Sequence, residues 1–273
     1  MQRLRETLAN YPARLIACSG GIDSLLLATI AHRAAPTTTA VAHTVTPAVP
    51  GPGTARVVAF AEREGWNLEL IRSNEFEDER YLSNPTDRCY YCKTNLYDAV
   101  AELQQSAVVA AGSVILSGAN VDDLGEYRPG LIAADEHDVH HPYVEAGWTK
   151  ADIRAAARSL GLDEAELPAS PCLASRLYTG TRVTPSRLQA IEVGEALITE
   201  LTGIAVVRCR VRHSDVMVEV MVEVAEHDRP RVTQAILAAV ASAMTAIEPE
   251  LGSVRLDDRP YHPGRAILQV TSS

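Results

Sequence analysis

The most constraining feature of the sequence is an apolar run that stops at a pair of glycines and resumes as a second apolar run. Residues 15–18 have the composition of a buried strand, and the apolar residues at 25–27 and 30 fit a buried helix. Ser19, Gly20 and Gly21 lie between them. A strand that turns sharply into a helix is typical of proteins in which parallel strands alternate with helices. Together with the further strands and helices along the chain, this start predicts an α/β fold, a parallel sheet with helices on both faces.

The same alternation continues along the chain. Val41 indicates a second strand, and further elements are predicted as a helix over 54–64 and strands over 68–71 and 114–116. Residues 73–92 are polar and lack clear periodicity, which predicts a long functional loop. Thr149, with Asp152 three positions later, predicts the start of a helix.

A change of composition marks a domain boundary. Prolines and Gly180 cluster between residues 167 and 185. We therefore predict an ATP-binding domain over residues 1–170 and a smaller α+β domain over 171–273, which binds substrate or forms oligomers. The second domain is expected to contain helices over 185–201 and 232–244 and strands over 205–212, 216–224 and 253–256.

The turn between the first strand and helix has a clear chemical use. Gly20 and Gly21 let backbone amides approach an anion at the positive end of a helix, and Ser19 and Ser24 add hydroxyl donors. Asp23 cannot contact a phosphate favourably, so we predict that it binds Mg²⁺ or anchors the helix start. A Walker-A lysine is absent from the motif, which excludes a kinase-like phosphate loop. The alternative is an ordinary Gly-Gly turn with a capping residue, which any α/β protein can contain.

Charge and composition restrict the class of partner. The chain has 273 residues and a formal net charge of −10, which disfavours non-specific binding of nucleic acid. No apolar run has the roughly 20 residues of a membrane span, and the first residues are too polar for a secretory signal. We therefore expect a cytoplasmic protein that does not associate with membranes.

Three of the five cysteines stand in a pattern that suggests chemistry. Cys89 and Cys92 are separated by two residues, a spacing that lets both sulfurs reach one metal, and Cys172 lies at the predicted domain boundary. In a reducing compartment such a pair is more often metal-binding or catalytic than a disulfide. Cys18 and Cys209 fall in apolar strand patterns and are predicted to be core residues.

Several segments together resemble a known family. Residues 19–24 are similar to the signature of the PP-loop ATP pyrophosphatases, within the adenine nucleotide alpha hydrolase-like superfamily. Residues 84–93, 117–124, 127–130 and 168–176, taken in order, resemble the LarE family of PP-loop sulfur transferases. The resemblance extends from about residue 15 to residue 212.

The resemblance implies a defined reaction. LarE proteins use ATP to adenylate a carboxylate of a pyridinium mononucleotide, release AMP and pyrophosphate, and form a thiocarboxylate for the nickel-pincer cofactor of lactate racemase. It also implies that Gly118 belongs to the ATP site and that a sulfur-donor protein and a homo-oligomer are involved. In one branch a single cysteine, matching Cys172, gives up its sulfur. In another, three cysteines matching Cys89, Cys92 and Cys172 hold a [4Fe-4S] cluster.

The residues alone leave further possibilities open for these thiols. A structural zinc ion is an alternative to the cluster, and it needs a fourth ligand. His137, His140 or His141 can supply that ligand. Thiols without a function are the remaining alternative.

Arginines alternate with apolar residues near the start of the second domain. Arg208, Arg210 and Arg212 share one face of the predicted strand, where they suit a phosphate or carboxylate. The alternative is a solvated strand face paired with Glu219 and Glu223. The resemblance favours binding, because Arg210-Val211-Arg212 matches an Arg-Val-Arg segment of the family. We predict that Arg176, Arg210 and Arg212 bind a small anionic mononucleotide or another carboxylate.

Two departures from the family pattern leave the substrate open. An arginine expected in each of two segments is replaced, by Met217 in residues 216–219 and by His262 in residues 256–264. Competing functions are a tRNA thiolase, against which the negative charge argues, and an amide-forming synthetase, which has no need of three cysteines. A non-enzymatic ATP sensor is the third.

Overall fold

The structure is a computed structural model that describes residues 1–125, 128–213, 218–262 and 264–266. The chain forms two compact units. The first comprises Met1–Glu75 and Cys89–Ser170. The second comprises Phe76–Arg88 and the described residues of Pro171–Ser273. The short segment Phe76–Arg88 thus packs with the C-terminal part of the chain, whereas the predicted first domain, residues 1–170, includes it.

The described residues contain ten α-helices and seven β-strands. The helices are α1 Gln2–Ala9, α2 Ile22–Ala34, α3 Gly51–Glu64, α4 Glu79–Leu82, α5 Arg88–Gln104, α6 Pro129–Glu136, α7 Pro142–Glu145, α8 Lys150–Ser159, α9 Pro185–Thr202 and α10 Gln234–Ile247. The strands are β1 Arg14–Ala17, β2 Thr39–Thr44, β3 Asn67–Ile71, β4 Val114–Ser117, β5 Arg208–His213, β6 Val218–Glu223 and β7 Leu251–Leu256.

The first unit is built on a four-stranded parallel sheet in the order β3-β2-β1-β4. The chain moves outward from β1 to β2 and β3, and then returns to the other side of β1 as β4. This arrangement confirms the predicted α/β fold. The reversal of strand order makes the carboxyl ends of β1 and β4 a topological switch point, where open α/β sheets bind ligands.

Alternate residues of the strands pack into different cores. Ile16 and Val41 belong to a cluster with residues of α2, α3 and α8, and both side chains are fully buried. Leu15 and Ala40 belong to a second cluster that includes Tyr97 and residues of α6. Because neighbouring residues of a strand face opposite sides of a sheet, these two clusters cover both faces.

Residues 73–92 were wrongly predicted to form a continuous loop. The segment contains the short helix α4, and α5 begins at Arg88, so that Cys89 and Cys92 are helical. The reason is that tertiary packing outweighs a weak local helix signal. Tyr97 and Val100 of α5 are buried against the sheet and hold the helix in place.

The second unit contains a three-stranded mixed sheet, with β5 antiparallel and β7 parallel to β6. Helices α9 and α10 pack on each other, and α10 packs on β7. This mixed sheet agrees with the predicted smaller α+β domain. The predicted strand over 216–224 is observed from Val218, and Val216 and Met217 lie outside the described residues.

No helix among the described residues has the length and apolar character needed to cross a bilayer.

Candidate functional site

The glycine turn between β1 and α2 lies at the switch point, as a phosphate-binding loop requires. Gly20 has a φ of +79°, a conformation that residues with a side chain rarely adopt. A Cβ atom added there would lie 2.9 Å from the carbonyl oxygen of Gly53 in α3. Both the dihedral and the close approach therefore require glycine at this position.

The carbonyl groups of this loop are engaged by side chains. Ser24 Oγ donates to the carbonyl oxygen of Gly21 at 3.0 Å, and Arg56 Nη1 donates to that of Gly20 at 2.8 Å. The Ser19 amide donates to Ser24 Oγ at 3.1 Å. The two serines predicted for the site are thus joined to each other, and their hydroxyls also support the loop itself.

The donors that suit an anion are the first-turn amides of α2. Gly21 caps this helix without a side-chain hydrogen bond, and the amides of Ile22, Asp23 and Ser24 have no partner within a regular helix. Helix α2 has 13 residues, so its dipole adds positive potential at this end. The turn can therefore bind a phosphate group.

The end of β4 reaches the same helix start. A Cβ atom added to Gly118 would lie 3.0 Å from the backbone nitrogen of Ser24, so only glycine fits without a shift. Two residues later, Asn120 Nδ2 donates to Asp23 Oδ2 at 3.3 Å. The structure thus brings the sequence-predicted residues Ser19, Gly20, Gly21, Asp23, Ser24 and Gly118 together around one helix N-terminus.

Asp23 lies among other charged side chains. Burial, together with the charge of Asp123, raises the pKa of the Asp23 carboxyl, while Lys150 opposes that effect. Asp123 itself pairs with Arg128 at 2.9 Å and with Lys150 at 3.2 Å. Carboxylate oxygens are the ligands that Mg²⁺ prefers. Within the described residues no group of three or more His, Cys, Asp or Glu side chains is arranged to hold a metal ion.

Three supporting residues were not identified from the sequence. Arg56 donates to the loop from α3, and Tyr143 donates from its buried hydroxyl to the backbone oxygen of Asp23 at 3.0 Å. His43 lies within hydrogen-bond distance of the carbonyl oxygen of Cys18. These contacts join residues 25 to 120 positions apart, and no local pattern in the sequence indicates them.

The histidines considered as zinc ligands make other contacts. His137 lies 3.0 Å from Asp98, and His140 Nδ1 lies 3.1 Å from the hydroxyl of Tyr11. His141 Nδ1 lies 2.8 Å from Ser117 Oγ, and burial lowers the pKa of His141. All three contacts are within the first unit.

The five cysteines fall into two groups, and none forms a disulfide. Cys18 and Cys209 are buried, which confirms the prediction that both are core residues, and burial raises the pKa of each thiol. Cys89 is exposed and Cys92 is partly buried at the start of α5. Residues three apart on a helix lie on one face, so these two thiols can serve one metal. Cys172 is partly buried and precedes the short helical turn Leu173–Arg176 of the second unit.

Arg176 is held firmly within the second unit. Only 3% of its side chain is exposed, and its guanidinium donates to both carboxylate oxygens of Glu195, at 3.0 and 2.9 Å. It also donates to the carbonyl oxygens of Pro171 and Cys172. These bonds fix the backbone on which Cys172 lies, and the predicted contact between Arg176 and substrate stays a prediction.

Two arginines of strand β5, the arginine strand, form ion pairs with carboxylates on β6. Arg210 Nε donates to Glu223 at 3.0 Å, and Arg212 donates to Glu219 at 2.7 Å. Glu223 is fully buried, and Arg265 also binds it. The alternative to ligand binding was a strand face paired with Glu219 and Glu223, and these two ion pairs are present. A role of Arg210 and Arg212 in binding an anion stays a prediction. Arg208 is buried against the ring of Tyr261.

Parts of the motifs that resemble a family lie outside the described residues. These are Tyr127, Val216, Met217 and Pro263.

The fold and the geometry define the class: an α/β protein with a glycine turn at the switch point of a parallel sheet, where the backbone amides of α2 can bind a phosphate group. No protein-family model matches the chain. An uncharacterised protein of Synechocystis sp. is 33% identical over 201 residues, 74% of each chain. An uncharacterised protein of Methanocaldococcus jannaschii is 29% identical over 69% of this chain and 70% of its own length.

A third relative has a name that describes its product. The pyridinium-3,5-bisthiocarboxylic acid mononucleotide synthase of Lactiplantibacillus plantarum is 30% identical over 161 residues, 59% of this chain and 56% of the synthase. This synthase is a LarE protein, and the chain belongs to the LarE family.

Proposed function

We propose that the chain is an ATP-dependent sulfur transferase that adenylates a substrate carboxylate and converts it to a thiocarboxylate, as in nickel-pincer nucleotide cofactor biosynthesis. The observation that carries this proposal is that Gly20, Gly118 and the start of α2 lie together at the switch point. The similarity to a synthase named for a bisthiocarboxylic acid product supports it. The backbone donors suit the phosphates of ATP.

The first step would use the loop of the first unit. The amides at the start of α2 and the hydroxyls of Ser19 and Ser24 bind phosphate oxygens, and Asp23 binds Mg²⁺. An oxygen of the substrate carboxylate attacks the α-phosphorus, and the bond to the oxygen that bridges the α- and β-phosphates breaks. Pyrophosphate leaves, and an acyl adenylate remains. The ATP-binding role is assigned to residues 1–170.

The second step would deliver sulfur, and two routes are proposed. In the first, the Cys172 thiolate attacks the acyl carbon and AMP leaves, which gives a thioester. A base then removes the α-proton of Cys172, the Cβ–S bond breaks, and a thiocarboxylate and dehydroalanine result. In the second, Cys89, Cys92 and Cys172 would serve as iron ligands. A [4Fe-4S] cluster held by three thiolates would supply an iron that can carry one additional sulfide.

The substrate would be a small anion bound by residues 171–273, with Arg176, Arg210 and Arg212 as the proposed ligands of its phosphate or carboxylate. The relative's name makes pyridinium-3,5-biscarboxylic acid mononucleotide the first compound to test. Met217 and His262 replace two arginines of the family pattern, so a different acid is the alternative. A sulfur-donor protein, a homo-oligomer and a cytoplasmic location complete the proposal.

The two sulfur routes are separated by cysteine variants. Protein purified without oxygen is analysed for iron and sulfide, and its mass is measured before and after turnover. Under the cluster route, Cys89→Ala or Cys92→Ala loses iron and activity together, and Cys172 keeps its mass. Under the route in which Cys172 gives up its own sulfur, those variants still complete one turnover, and the mass of the protein falls by that of one hydrogen sulfide. Thiolated product from Cys172→Ala would refute both routes.

A further inference from the structure

His43 is a buried imidazole beside residues 19–24, the phosphate loop, and the proposed reaction has no use for it. It lies on β2, and only 1% of its side chain is exposed. The Cys18 amide donates to the Ala42 carbonyl at 2.8 Å, so the sheet pairing continues to the edge of the loop. This pairing places His43 beside the residue that precedes Ser19.

Both ring nitrogens of His43 are engaged. Nδ1 lies 2.8 Å from the carbonyl oxygen of Cys18, and Nε2 lies 2.9 Å from Oγ1 of Thr54. A carbonyl oxygen can only accept, so Nδ1 must carry the proton. In the neutral ring Nε2 is then an acceptor, and the Thr54 hydroxyl donates to it. Burial lowers the pKa of His43, in agreement with a neutral ring. One tautomer therefore satisfies both bonds.

The same turn of α3 contacts the phosphate loop at two further points. Arg56 donates to the carbonyl oxygen of Gly20, and the Gly53 carbonyl lies against Gly20. Thr54 and His43 extend this support to Cys18. A peptide unit is planar, so fixing the direction of the Cys18 carbonyl also fixes the amide of Ser19.

We infer that His43 is a positioning residue for the nucleotide. The contact of its ring with Thr54 in α3 orients the ring, and its hydrogen bond to the Cys18 carbonyl then holds the phosphate loop in its binding conformation before the nucleotide arrives. His43 acts through Cys18 and does not touch the ligand. A preset loop binds its anion without a further ordering cost, which increases affinity. The inference rests on the proposed function only in taking this loop as the nucleotide site.

The test uses binding of α,β-methylene-ATP with Mg²⁺, measured by calorimetry, so that no acid substrate is needed. His43→Leu removes the donor to Cys18 and should weaken binding about three- to tenfold. His43→Asn keeps a donor at the position of Nδ1 and should stay within about twofold of the wild type. Thr54→Val removes only the hydroxyl that orients the ring, and should weaken binding about twofold.

His32→Leu is the matched control. His32 is a buried histidine near the other end of α2, and within the described residues its Nδ1 has no hydrogen-bond partner. Its replacement should leave the affinity for the analogue unchanged, even if thermal stability falls. A side-chain ¹⁵N NMR spectrum of the wild type should show His43 protonated at Nδ1 alone.

The outcomes are distinct. Unchanged affinity in His43→Leu, equal weakening in His32→Leu, or a proton on Nε2 would overturn the role of His43 while leaving the nucleotide site intact. If His43→Leu does not fold, the other two measurements decide. Unchanged affinity in Thr54→Val, together with a proton on Nε2 of His43 in the wild type, would overturn the inference. Absence of binding by the wild type would overturn the site and the inference together.

Discussion

The phosphate loop and the arginine strand β5 both carry groups suited to anions, but they differ in what those groups already bind. In the loop, side chains satisfy the carbonyls of Gly20 and Gly21, and the first-turn amides of α2 are left for a ligand. On β5, Arg210 and Arg212 are bonded to Glu223 and Glu219. The comparison teaches that side-chain type alone does not define a binding site, since the same guanidinium can serve a ligand or the fold.

The largest expected effect tests whether Arg210 serves the fold. Glu223→Gln removes the charge from a fully buried carboxylate that Arg210 and Arg265 bind. We expect the free energy of unfolding to fall by about 3–5 kcal/mol, because Arg210 then remains as a buried charge without its partner. Urea denaturation measures the loss.

The control for this loss is Glu219→Gln. The pair of Glu219 with Arg212 is partly exposed, so its removal should cost at most about 1 kcal/mol. Equal losses in the two variants would remove the distinction between a buried and an exposed pair on this sheet.

A smaller effect on stability, with a large effect on binding, is expected in the phosphate loop. Gly20→Ala places a side chain at a positive φ and against the Gly53 carbonyl, which should cost about 1–3 kcal/mol and displace the loop. Binding of α,β-methylene-ATP should be lost. Gly53→Ala is the control, because a Cβ atom there meets no other atom within 4 Å. Wild-type affinity in Gly20→Ala would show that the loop does not form the site.

Arg212 can separate binding from folding, because its side chain is 42% exposed and its ion pair contributes little stability. If it also grips an anionic substrate, Arg212→Ala should lower kcat/KM by the equivalent of about 1–3 kcal/mol. Unfolding should change by less than about 1 kcal/mol. Unchanged kcat/KM in Arg212→Ala would show that Arg212 serves only the ion pair with Glu219 on the neighbouring strand. Arg210→Ala is a poorer test, since it also removes one of the two arginines that bind the buried Glu223.

The smallest expected effect is a pH dependence of stability. Burial lowers the pKa of His43 and of His141 in the folded chain. The unfolded chain therefore takes up protons first, and stability that is present above about pH 6.5 is lost as the pH falls. Each histidine contributes at most about 1.4 kcal/mol per pH unit. The charges of Glu145, His140, Asp123 and Asp135 also act on His141.

The measurement is the free energy of unfolding between pH 7.5 and 5.5, for the wild type and His141→Asn. The variant should lose less stability over this range, because one of the two protonations is removed. An identical slope would show that His141 does not titrate differently in the folded and unfolded chain.

The sequence was most informative where function depends on local backbone geometry. Gly20 and Gly21 follow a strand and precede a helix, and this local order predicted the loop, while the alternation of strands and helices along the chain predicted the parallel sheet. Gly118 was predicted only through the family resemblance. Its physical reason, the approach to the Ser24 backbone, becomes evident only when β4 is placed beside β1.

Long-range partners could not be predicted. The alternation around Arg210 correctly indicated a strand, but burial of Arg210 and Glu223 depends on packing that no periodicity reports. Arg56 and His43 are separated from the loop by more than 20 residues, so their hydrogen bonds have no local signal. The start of α5, at residues 88–92, was missed because that stretch is polar and lacks clear periodicity.

The most direct test of the proposed chemistry is product analysis with ATP labelled in the α-phosphate. Purified protein is supplied with Mg²⁺ and pyridinium-3,5-biscarboxylic acid mononucleotide, and the nucleotides and pyrophosphate are quantified. The proposed function predicts AMP and pyrophosphate in equal amounts, formed only with the acid. It also predicts no turnover by Asp23→Asn, which removes the proposed Mg²⁺ ligand with little change of shape. Accumulation of ADP would contradict cleavage between the α- and β-phosphates, and with it the proposed function.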